Sequence, residues 1–126
     1  MERSTLHRVH LWLSAVIAAT VVVLAFLAGR FLFLGDLIIE THGYIGNTVF
    51  LLALVNLGVV MATKPDGVTA AVAGLVVLLI FAQIGLGYVG RDTADAAALH
   101  IPNGVLLMGL SGFQFATARA RTAATG

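Results

Sequence analysis

Apolar residues run along this chain in four long blocks, separated where glycine, proline and charged residues gather. The blocks fall at about 9–27, 44–63, 68–89 and 101–118. None shows the period-2 alternation of a barrel strand with one face in lipid. Each is close to the roughly 20 residues that a helix needs to cross the hydrocarbon of a bilayer. Backbone groups in lipid must bond within their own segment, so helices are the expected elements. Taken out to their polar ends, the blocks predict spans at about 9–30, 42–63, 68–90 and 98–118 in a single domain, 1–126. The expected fold is all-α: an integral membrane four-helix bundle built from two hairpins.

Composition strengthens that reading. Hydrophobic residues make up 60% of the 126 and charged residues only 10%. A soluble domain of this length leaves too much of its surface in water to carry such a load, so lipid is the expected solvent. The first block, with its basic start, has features of a secretory signal. It is longer than the apolar core of such a signal and three more spans follow, so it is read as retained.

The segments between blocks predict how the helices meet. Thr63-Lys-Pro-Asp-Gly67 is a tight turn, because proline presets one dihedral and Asp-Gly supplies the reversal. Asp36 can cap helix 2, and Asp92 or Thr93 can cap helix 4. Both of these helices should therefore begin well ahead of the histidines they carry.

Charge placement sets an orientation. Arg3, Arg8, Lys64, Arg119 and Arg121 fall at one end of the expected bundle, Arg30 and Arg91 at the other. Five against two puts both termini in the cytoplasm by the positive-inside rule, in a bacterial-type plasma membrane. There is no cysteine, which removes disulfides, thiol redox chemistry and thiolate metal sites. The basic residues are too few and too scattered for a nucleic-acid surface.

Laying one hairpin over the other gives an internal repeat. Gly29-Arg30, Asp36 and His42-Gly-Tyr-Ile-Gly46 match Gly90-Arg91, Asp92 and His100-Ile-Pro-Asn-Gly104. Ionisable residues within spans are costly and mark function. His42 and His100 lie at similar depths near the outer face, and each has glycine at i+4 on its own helix face. Two neutral imidazoles on helices 2 and 4 are the axial set of a six-coordinate b-type haem. Gly46 and Gly104 would make room for the flat ring, and Arg30 and Arg91 would bond its propionates. Pro102 removes a backbone donor just past His100.

His7 and His10, beside Arg8 and Trp12, read as interfacial anchors of helix 1, with a role at a homodimer interface left open. Asn56, Gln83, Ser111 and Gln114 are expected to bond between helices. Asn47 and Asn103 flank the haem level, where they could bond propionates or each other. Glu40 reads as a solvated residue of the first turns of helix 2.

The residues Glu40, His42, Gln83-Ile-Gly-Leu-Gly87 and His100 resemble one four-helix half of the haem A synthase family, whose bundles carry histidines at the outer ends of their second and fourth helices. The resemblance covers most of the chain and implies haem binding at His42 and His100. There are departures. One bundle replaces two, Glu-Thr-His-Gly43 stands for the family's Glu-x-x-His-Arg, and its loop cysteine pair is absent. Haem binding therefore transfers better than oxygenation of a haem methyl group. The arrangement is also similar to small four-helix b-type cytochromes that exchange electrons with a quinone or another redox protein. Electron transfer or haem handling is the expected role. A haem-modifying oxygenase and a non-haem structural subunit of a larger membrane complex are the alternatives.

Overall fold

The computed structural model describes residues 3–34 and 38–125. Four helices occupy them: α1 (Arg3–Leu34), α2 (Ile38–Ala62), α3 (Gly67–Val89) and α4 (Ala94–Thr125). All four are long and apolar enough to cross a membrane. Only 17–22% of each apolar window is buried inside the bundle, so most apolar side chains face outward. Trp12, Phe33, Tyr44 and Phe81 are among the exposed ones. In water that surface would be intolerable for a chain of this size; in lipid it is the expected exterior. The protein is an integral membrane four-helix bundle.

Helices α1 and α4 have 32 residues each, about 48 Å at 1.5 Å per residue. A hydrocarbon core is about 30 Å thick, so their ends project beyond it. The two helices extend past the expected spans, because segments such as Arg119-Ala-Arg-Thr-Ala-Ala124 are good helix formers without an apolar signal. Around the bundle, α1 packs against α2 and α4, and α3 packs against the same two. The helices thus form a square, with α2 diagonally opposite α4.

The short connections explain that arrangement. Asp66 is the N-cap of α3, and its carboxylate accepts from the Thr69 backbone N–H at 2.9 Å. Lys64 takes the left-handed conformation, with φ 53°, which turns the chain over. Arg121 of α4 forms an ion pair with Asp66, joining the C-terminal end of the bundle to this turn. At the other end Gly90 caps α3, and its N–H bonds the Leu86 carbonyl at 2.8 Å. A Cβ on Gly90 would lie 2.7 Å from the Leu86 carbonyl oxygen and 3.0 Å from the Ala97 nitrogen. Only glycine lets α4 start so close to α3. Thr93 stands in the N-cap position of α4, where its carbonyl accepts from Ala97 N–H, while its hydroxyl bonds back to Val89. Asp36, the expected cap of α2, lies outside the described residues.

The core has two characters along its length. An apolar layer of Ile17, Val21, Val49, Ala53, Val76, Ile80 and Leu107 fills the middle. Below it, toward the termini, His10, Ser14, Asn56, Ser111 and Gln114 are buried. His10 Nδ1 donates to Asn56 Oδ1 at 2.8 Å. His10 is thus an interhelical residue and not an interfacial one, because it shares the inward face of α1 with Leu6, Ser14 and Ile17. Asn56 bonds between helices as expected. Ser111 instead returns its hydroxyl to the Met108 carbonyl on its own helix.

Candidate functional site

Above the apolar layer, at the end away from the termini, the bundle opens into a cavity of about 560 Å³. That lies within the roughly 300–1,000 Å³ usual for small-molecule sites. All four helices contribute to its wall, through residues such as Leu24, Gly46, Ile84 and Ile101. His42 and His100 both line it. They come from the diagonally opposed helices α2 and α4, four and six residues after the helix starts. Their ring centroids are 6.1 Å apart and the ring planes are inclined at 53°.

That separation has a chemical meaning. Imidazole nitrogens bind metals at about 2 Å, so two rings on opposite sides of one metal have centroids about 6 Å apart. No His, Cys, Asp and Glu side chains converge in groups of three or more among the described residues. The two imidazoles thus stand as a pair, with no third such side chain grouped with them among the described residues.

Each ring is backed by the other helix of its own hairpin. His42 Nδ1 donates to the Leu24 carbonyl of α1 at 3.0 Å, which leaves the lone pair of the neutral ring on Nε2. His100 rests on Gly87 of α3, where an added Cβ would lie 3.1 Å from His100 Cε1. A side chain at position 87 would press on the ring, which would have to give by a few tenths of an ångström. Gly87 entered the sequence reading only as the end of Gln83-Ile-Gly-Leu-Gly87, because its partner lies on another helix and no spacing rule reaches it.

The glycines predicted to clear space divide. Gly46 lines the cavity and has nothing within 4 Å of where its Cβ would be. Gly104 is not among the lining residues; its Cβ would meet Gln83 Nε2 at 3.0 Å. Its role is to admit Gln83, whose side-chain oxygen accepts from Asn103 at 2.6 Å. Gln83 therefore bonds between helices, as expected, and Asn103 is engaged with it and with the Leu79 carbonyl at 3.0 Å. Asn47 instead donates to the Tyr88 hydroxyl at 3.1 Å, so the two asparagines do not bond each other.

The arginines divide too. Arg91 lines the cavity mouth, with its guanidinium 5.2 Å over the centre of the Tyr88 ring. Its Nη2 is 4.0 Å from where a Gly43 Cβ would stand, an ordinary van der Waals distance, so the arginine lies beside the residue that follows His42. Arg30 is exposed and is not among the lining residues. The two Gly-Arg pairs are not equivalent in the fold: α1 continues four residues past Arg30, whereas α3 has ended before Arg91. Glu40 also lines the cavity, while remaining exposed.

The site and its scaffold thus define a four-helix membrane bundle with a histidine pair facing across one end. Comparison with known proteins adds no family: no protein-family model, curated protein or solved structure matches the chain.

Proposed function

We propose that the protein is a b-type membrane cytochrome, holding one haem between α2 and α4 with His42 and His100 as axial ligands. The observation that carries this reading is the pair of imidazoles 6.1 Å apart across a cavity. Two imidazoles are a complete axial set for haem iron, whereas a structural zinc draws on four protein ligands. The haem, when bound, supplies one-electron chemistry.

The chain's own residues do the rest. The Leu24 carbonyl fixes the tautomer of His42 and raises its basicity. Gly46 leaves room for a flat ring, and Gly87 sets the position of His100. Arg91, held over Tyr88, is placed to bond a propionate with its planar fork, whereas Arg30 is exposed and outside the cavity lining. Apolar walls keep water from the metal and so tune its potential. With an imidazole from each of α2 and α4 available to hold the iron, electron transfer is the favoured role, with a quinone or another redox protein as partner. The five-to-two distribution of basic residues supports an orientation with both termini in the cytoplasm and the site near the outer face.

The test is optical. The protein purified in detergent should be red, with sharp low-spin bands when reduced. His42→Ala and His100→Ala should each lower the haem-to-protein ratio or turn the spectrum high-spin, and the double variant should carry no haem. His7→Ala and His10→Ala should leave the spectrum alone. A colourless protein that stays so after haem addition would favour a structural subunit. A normal low-spin haem in the double variant would place the ligands elsewhere.

A further inference from the structure

The two imidazoles are held differently. His42 Nδ1 donates to the Leu24 carbonyl at 3.0 Å, so its proton and its ring orientation are both fixed. His100 Nδ1 is buried without a well-formed hydrogen bond, and the Gln83 backbone gives the ring only a looser tie than the one Leu24 gives His42. The helices differ in the same sense. Pro102 stands inside α4 two residues past His100, and without an N–H it cannot bond the Ala98 carbonyl one turn back. The backbone that carries His100 is therefore tied less firmly than the backbone that carries His42, which has no proline in its helix.

Metal-bound histidines nearly always donate their second ring N–H to a carbonyl or carboxylate, and losing that partner typically weakens metal binding about 10–100-fold. We propose that His42 is the fixed ligand of the site and His100 the exchangeable one, so that a small sixth ligand, such as a diatomic gas, enters on the α4 side. This rests on the haem reading above. It gives the site a second capacity, ligand sensing or ligand activation, that a symmetric pair would not have.

Carbon monoxide is the probe, applied to the reduced, haem-loaded, full-length protein in detergent. The wild-type protein should shift to a carbon-monoxide spectrum that coincides with that of treated His100→Ala. Haem should leave His42→Ala about 10-fold faster, or more, than it leaves His100→Ala. Added imidazole should return His100→Ala to a low-spin spectrum. His42→Gln and His100→Gln repeat the comparison if an alanine variant fails to insert. A haem-loaded wild type that is inert to carbon monoxide would overturn the proposal, as would equal haem loss from the two single variants. A wild type that takes up no haem removes the underlying reading and this proposal with it.

Discussion

A methyl group added at Gly46 would meet nothing within 4 Å, while one added at Gly104 would meet the Gln83 amide. The two positions look alike in sequence, each four residues after a histidine, and they should behave differently. Gly46→Leu would fill the cavity from α2 and should abolish haem retention while the folded protein stays soluble in detergent. Gly104→Leu would separate α3 from α4 and break the Gln83–Asn103 bond, so it should lower the unfolding temperature whether or not haem is present. Overpacking of this kind costs about 1–3 kcal/mol. Haem-to-protein ratios and melting curves, measured with and without haem, check both; equal effects in both assays would contradict the division. At this scale the sequence exposed the two histidines plainly, because an ionisable group in an apolar helix is conspicuous. It could not separate Gly46 from Gly104, since i+4 counting sees one helix and the difference lies on the neighbouring one. Nor could it demote Arg30, since matching Gly-Arg pairs says nothing about where each helix ends.

Between elements, the turn at one end of the bundle carries more of the fastening than the apolar pattern suggests. Asp66 caps α3 and also pairs with Arg121 of α4, so one carboxylate joins a turn and two helices. Removing it should destabilise by about 0.5–2 kcal/mol through the lost cap, with a further contribution of up to about 1 kcal/mol from an exposed pair. Arg121→Gln keeps the cap and should cost less than Asp66→Ala. Denaturant titrations of the two variants in one detergent check the order, and a larger loss for Arg121→Gln would show that the cap matters little. The Thr63–Gly67 turn was legible because Pro-Asp-Gly allows few other conformations. The pairing with Arg121 was not, because the partners lie 55 positions apart in the chain. The helices themselves were the most legible feature, since lipid demands near-continuous apolar runs of about 20 residues; their projecting ends answer to water and leave no such mark.

For the whole molecule, the square arrangement makes one end chemically unlike the other. Neighbouring helices are antiparallel, so α2 and α4 run the same way and bring His42 and His100 to a single end. The termini, the Thr63–Gly67 turn and five of the seven basic residues fall at the opposite end. A chain that inserted with this basic end outside would violate the loop-charge bias that sets orientation. The natural chain has no cysteine, so a single introduced thiol reports its own side without background. Thr93 lies in the exposed α3–α4 turn and Ala124 is exposed near the end of α4. In intact cells a membrane-impermeant maleimide should label Thr93→Cys and spare Ala124→Cys, and disruption of the membrane should make both reactive. Labelling of Ala124→Cys alone in intact cells would reverse the orientation. The histidine pair would survive that result, but its cavity would then open to the cytoplasm, and a redox partner would have to be sought there.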